Sequence, residues 1–172
     1  LTSPPAIEHC LYMSQEMNFS CVDAEPAFQQ TGSHTDVYNK LEISKHLDDD
    51  IDLVVYFDAD VVVLGELGAL VTQIPKKYVL MGVKDFPNIL RRFHLPESSW
   101  GLNGGFFVFD KQVLIKYRTV IESQMQLGVN DQIIWSKLFY HIHDEHDSAC
   151  ILRDAYNCRP NTHRACHNRA KI

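Results

Sequence analysis

The sequence predicts an α/β fold, and three observations carry the prediction. Short apolar runs of strand length, rich in β-branched and aromatic residues, alternate with segments whose apolar residues recur at helical spacing. The clearest of these runs closes on two acids one residue apart, Asp58 and Asp60, at the carboxyl edge where open α/β sheets bind ligands. Hydrophobic residues make up 45% of the 172-residue chain, enough for the core of one domain.

The elements follow in order. Thr35 or Asp36 is placed to cap a helix carrying Val37, Tyr38, Leu41 and Leu47. Asp48-Asp49-Asp50 reads as a solvated connection to the first strand, built on Ile51, Leu53, Val54, Val55 and Tyr56. Leu67, Leu70 and Val71 then suggest a short helix stopped before Pro75, and Tyr78 to Val83 a second strand. Residues 88–101 show no clean period and read as a long surface excursion. Asn103-Gly104-Gly105 leads into a third strand, Phe106 to Phe109, its glycines either marking a turn or leaving room for a close approach. Asp110 caps an amphipathic helix with Val113, Leu114, Tyr117, Val120, Ile121 and Met125 on one face, ended by Gly128. Asn130-Asp131-Gln132 opens another helix, with Ile133, Ile134, Trp135, Leu138 and Phe139 as its apolar set. His141, His143 and His146 are assigned to a polar loop after it.

Two carboxylates closing an apolar strand are costly unless something cationic sits between them. On extended chain Asp58 and Asp60 would point to the same side. There they suit one hard cation with oxygen ligands, which can in turn hold a diphosphate. The plainer alternative is that one acid caps the next turn while the other is solvated. Asn130 or Asp131 reads, on residue type alone, as an ordinary helix cap.

Composition excludes some classes. A net charge of −6 without any basic cluster argues against nucleic acid or an acidic membrane as the main partner. No apolar run reaches the roughly 20 residues that span a bilayer, and no signal peptide stands at the start. The chain begins at Leu1 without Met, so it is expected to be part of a longer protein. Its five cysteines either stay as buried thiols or form disulfides that leave one unpaired. Cys158 and Cys166 lie in a segment that reads as an irregular loop tied by a disulfide. Asn18-Phe19-Ser20 is an N-glycosylation acceptor, a mild pointer to a secretory compartment.

The series Tyr38-Asn39-Lys40-Leu41, Tyr56-Phe57-Asp58-Ala59-Asp60, Leu102-Asn103-Gly104-Gly105-Phe106-Phe107-Val108 and Asn130-Asp131-Gln132-Ile133-Ile134 resembles the family 8 retaining glycosyltransferases. Tyr156-Asn157-Cys158-Arg159-Pro160-Asn161, with His163 and Cys166, is similar to a segment of their eukaryotic glucoside xylosyltransferase branch. The resemblance implies a GT-A, Rossmann-like fold with a mixed central sheet flanked by helices. It implies a UDP-sugar donor, a glycan or glycoprotein acceptor, and Mn2+, with Mg2+ as a substitute, held by Asp58 and Asp60. Lys40 would lie near the donor sugar and phosphates. Ala59 belongs to the donor-binding segment, as do Asn103, Gly104 and Gly105. Asp131 would hold sugar hydroxyls, with Gln132 on the β face of the sugar. An ER or Golgi lumenal location follows from the same resemblance.

Nothing before Leu11 looks like the family's first strand, and no His-Gly-Lys metal motif precedes Ile172, so the catalytic domain is expected to be truncated at both ends. Two other readings stand beside the transferase. One is a sugar-nucleotide or glycan-binding domain without catalysis. The other is a metal-dependent phosphohydrolase of the haloacid dehalogenase type, for which Lys84-Asp85 would have to complete the metal site and is a poor candidate.

Overall fold

The computed structural model describes residues 4–17, 19–22, 35–63, 67–73, 77–85, 101–146 and 148–152. The excursion at 88–100 and the cysteine-containing segment after 152 lie outside them. The chain divides into two compact units: Leu1–Ile51 with Leu114–Asp131, and Asp52–Val113 with Gln132–Ile172.

The second unit is built on a four-stranded mixed sheet of order β1-β3-β2-β4. Its strands are β1 (Leu53–Phe57), β2 (Leu80–Lys84), β3 (Leu102–Asp110) and β4 (Ala149–Leu152). β3 pairs antiparallel with both β1 and β2, while β2 pairs parallel with β4. Alternation along β3 assigns its side chains to two faces. Phe106 and Val108 join Met81, Val83 and Leu70, the last from the short helix α2 (Gly68–Gln73). Phe107 and Phe109 meet Trp135, whose ring lies 4.6 Å and 5.3 Å from theirs. Covered on both sides, β3 is buried along nearly its whole length. Gly82 fits this packing closely, because a Cβ there would come within 3.0 Å of Leu102 Cδ2 and 3.2 Å of Phe107 Cδ1.

Several sequence expectations are corrected here. Asn103, Gly104 and Gly105 lie inside β3 rather than ahead of it. The ladder with β1 continues one step past its paired residues, through Asp58 N–H donating to the Gly105 carbonyl at 3.0 Å. Strand β4 was not anticipated. His141, His143 and His146 belong to a helix, Asp131–His146, and not to a loop. The apolar stripe that begins at Ile134 and Trp135 runs on through Leu138 and Phe139 to Ile142, which is buried, so the helical period outlasts the point where the polar residues begin.

The first unit contains helix α1 (Pro4–Met17), linked to the following segment by a Cys10–Cys21 disulfide. Cys150, in the other unit, keeps its thiol outside this disulfide. The helix expected from Thr35 onward is two 3₁₀ stretches, Thr35–Leu41 and Ile43–His46. The single helix expected after Asp110 is likewise two, α3 (Lys111–Lys116) and α4 (Arg118–Gln126), interrupted at Tyr117 (φ −98°, ψ 13°). Asp110 caps α3 as expected, its Oδ1 accepting Gln112 N–H at 2.8 Å. Leu114, Tyr117, Ile121 and Met125 are buried, but Val120 is 59% exposed, since the break turns it off the apolar face. The helix starting at Asp131 is α5.

Candidate functional site

The first unit fixes Lys40 and Asp131 by a sequence of local devices. Helix α4 ends at Gly128, whose φ of 68° favours a residue without a Cβ. Gly128 N–H donates to Met125 O and Val129 N–H to Gln124 O, the paired bonds of a Schellman turn. The Val129 carbonyl then accepts the Tyr38 hydroxyl at 2.9 Å. Two residues further along each segment, Lys40 Nζ meets Asp131 Oδ2 at 2.5 Å, their side chains only 10% and 7% exposed. Burial first, and the Asp131 carboxylate second, push the Tyr38 phenol above its ordinary value of 10.0. Asp131 is the first residue of α5, where the helix dipole also favours negative charge. Its carboxylate is therefore held by a lysine from a distant segment rather than acting only as a local cap.

In the second unit Asp58 follows directly on β1. Its backbone is held by Gly105, and its Oδ1 accepts the Tyr56 hydroxyl at 2.5 Å. Val61 N–H donates to Asp58 O at 3.1 Å, closing a turn with Ala59 and Asp60 at its centre. The same-side argument from strand alternation thus stops at Asp58, because Asp60 lies on the turn. Asp60 is exposed where Asp58 is half-buried. Within β3, Asn103 Oδ1 accepts Gly105 N–H at 2.8 Å.

Gln132 is the best-anchored candidate in this unit. Its Nε2 donates to Asp85 Oδ2 at 2.5 Å and to the Leu102 carbonyl at 2.8 Å. Ser136 Oγ donates to Gln132 O at 2.7 Å and accepts Leu102 N–H at 3.0 Å, tying the first turn of α5 to the start of β3. Asp85, directly after β2 and only 3% exposed, enters the sequence reading only as a poor phosphohydrolase candidate, and its engagement of Gln132 is what that reading missed. Its available signal was an acid closing an apolar strand, the same signal that marked Asp58. The amide of Gln132 is oriented through both hydrogens, so its carbonyl oxygen points away from these two acceptors.

Asp58 and Asp60 offer hard oxygen ligands, one fixed and one exposed. Among the described residues no group of three or more His, Cys, Asp or Glu gathers in one place. Two carboxylates fit Mn2+ or Mg2+ when phosphate and water oxygens complete the coordination, as is usual for these ions beside nucleotides.

The mixed sheet with helices on both faces is a GT-A-like fold. The sequence profile described as glycosyl transferase family 8 matches residues 2–164, and the chain belongs to that family. This membership displaces the phosphohydrolase reading. Among solved structures, the galactosyltransferase LgtC in complex with donor and acceptor sugar analogues is 16% identical, with a TM-score of 0.58 over 86% of this chain and 57% of its own. An active-site glutamine-to-glutamate mutant of LgtC is 16% identical, with a TM-score of 0.54 over 88% of this chain and 62% of its own. Mouse xyloside xylosyltransferase 1 in its apo form gives 11% identity and a TM-score of 0.48 over 80% of this chain and 63% of its own. The chain thus spans less than two thirds of the length of each. A sequence search of curated proteins finds no match.

Proposed function

We propose that this chain carries the donor-binding and catalytic part of a retaining glycosyltransferase that moves a sugar from a UDP-sugar to a glycan or glycoprotein acceptor. The observation that carries the reading is the family match over residues 2–164, together with Asp58 and Asp60 at the carboxyl end of β1. LgtC, a galactosyltransferase, was solved with donor and acceptor sugar analogues, and the same pair of partners is assigned to this chain.

In this reading Asp58 and Asp60 hold Mn2+, or Mg2+ in its place. A divalent cation there supplies positive charge to the departing diphosphate. Lys40 contributes a second positive charge to the phosphates, and Asp131 accepts hydrogen bonds from sugar hydroxyls. Asn103, Gly104 and Gly105 line the donor sugar, with Ala59 beside the nucleotide. Gln132 presents its carbonyl oxygen to the β face of the sugar, where positive charge develops as the glycosidic bond loosens. An amide is a feeble nucleophile, so the acceptor hydroxyl enters on the face that UDP leaves and passes its proton to a phosphate oxygen. No carboxylate base is needed.

The Cys10–Cys21 disulfide supports an oxidising compartment, in keeping with an ER or Golgi lumenal protein. The test is proton NMR of freshly formed product with UDP release followed in parallel. An α-donor is expected to give an α-linked product; a β-linked product overturns the mechanism. Donor binding without UDP release would identify a sugar-nucleotide-binding domain instead.

A further inference from the structure

Asp58 and Asp60 are not equivalent, and one hydroxyl marks the difference at the carboxylate. Tyr56 and Asp58 lie two apart at the end of β1, on the face of the sheet that carries Phe107. The Tyr56 ring stands opposite Phe107, with centroids 6.4 Å apart. Phe107 is itself stacked on Trp135 at 4.6 Å. The phenol is therefore placed by packing, and its hydroxyl donates to Asp58 Oδ1 at 2.5 Å, the length of a charge-assisted O–H···O⁻ bond. The backbone of Asp58 is pinned independently through Gly105. With its main chain held and one carboxylate oxygen bonded, Asp58 is restrained, while Asp60 stands exposed on its turn.

From this geometry we infer that Tyr56 is a positioning residue for the metal: it holds the Asp58 carboxylate in its ligating orientation and so sets the affinity for the divalent cation. The inference rests on the metal reading of Asp58 and Asp60 given above. Outer-shell donors of this kind are typically worth about 10- to 100-fold in metal affinity. Tyr56 contributes no ligand atom. Its removal should weaken binding without abolishing it.

The experiment titrates the 172-residue chain with Mn2+ in the presence of UDP, reading free Mn2+ by electron paramagnetic resonance. Wild type, Tyr56→Phe and Asp58→Ala are compared, with thermal midpoints recorded for each. Phenylalanine keeps the ring packed against Phe107 and deletes only the hydroxyl. The expected result is a loss of affinity of about tenfold in Tyr56→Phe, with a near-native midpoint, and loss of binding in Asp58→Ala. In turnover assays the apparent KM for Mn2+ rises in Tyr56→Phe while the KM for acceptor holds, a split that a general packing defect would not produce. Wild-type affinity in Tyr56→Phe, alongside lost binding in Asp58→Ala, overturns the role of Tyr56 and leaves the metal reading standing. If Asp58→Ala binds as wild type does, or wild type binds no Mn2+, the metal reading falls and this inference falls with it.

Discussion

Tyr38 donates its hydroxyl to the Val129 carbonyl 91 positions away, and the ion pair of Lys40 with Asp131 repeats that offset two residues on. A neutral bond and an ionic one thus clasp the same two segments. The Schellman turn at Gly128 fixes the carbonyl that the clasp uses.

The buried ion pair makes a double prediction. Lys40→Met or Asp131→Asn leaves the other partner insufficiently compensated, at a cost of roughly 3 kcal/mol. Exchanging the charges, as Lys40→Asp with Asp131→Lys, should recover much of the thermal midpoint. On the roles proposed for the two residues, sugar transfer should not return, because the lysine and the carboxylate would then face the wrong donor groups. Recovery of both would reduce the pair to a structural tie.

Asp58 and Asp60, the two acids proposed to hold the cation, should separate in a stability measurement. Asp60→Ala, on an exposed turn, is expected to shift folding by no more than about 0.5 kcal/mol while losing Mn2+ binding in the presence of UDP. Asp58→Ala also loses the acceptor of the Tyr56 hydroxyl and should cost about 1 kcal/mol more. Calorimetry paired with Mn2+ titration checks both.

Gln132→Glu would set a second carboxylate against Asp85 Oδ2, where the amide nitrogen now stands at 2.5 Å. Like charges that close share a proton, so the folded pKa of the pair rises above the usual carboxylate value of about 4. The variant should keep its stability below about pH 4 and lose it as the pH climbs through the raised folded value. Urea melts at acid and neutral pH would show the difference. A pH-independent loss would contradict the Asp85 contact.

Tyr38 gives the opposite end of the pH scale. With its phenol raised above 10.0, its contribution to stability is whole below pH 10.0 and is lost as the pH rises through the folded value. Tyr38→Phe should lose about 1 kcal/mol from the missing hydroxyl bond and show a shallower alkaline decline than the wild type. Identical slopes above pH 10.0 would refute the assignment.

At Gly82 the prediction is purely steric. An alanine Cβ would lie 3.0 Å from Leu102 and 3.2 Å from Phe107, both fully buried, and overpacking of this kind costs about 1–3 kcal/mol. A lowered urea midpoint with unchanged Mn2+ affinity is the expected pair of results.

The sequence made β1, β2, β3, α2 and the start of α5 legible, because strand-length apolar runs and capping residues are local signals. Gly128 and Asp110 performed the roles their positions suggested. The break at Tyr117 has no glycine or proline to announce it, and β4 is only four residues long. His141 and His143 misled because polarity was weighed over the apolar period that Ile142 continues. At the candidate site, residue types and order identified the acids, but the partners could not be read. Lys40 with Asp131, Tyr56 with Asp58 and Asp85 with Gln132 are products of chain folding or of one particular rotamer. Asp58 and Asp60 also illustrate a limit of strand reasoning, since a turn begins between them.

The sheet order places β1 beside β3 alone, so among the described strands it has a ladder partner on one side only. Amides of β3, bonded on both sides and sealed under side chains, should be the last of the four strands to exchange with deuterium, and those of β1 should exchange earlier. The strand that leads into Asp58 would then be a sensitive reporter. Slowing of exchange there on addition of Mn2+ and UDP would register occupancy before any product accumulates.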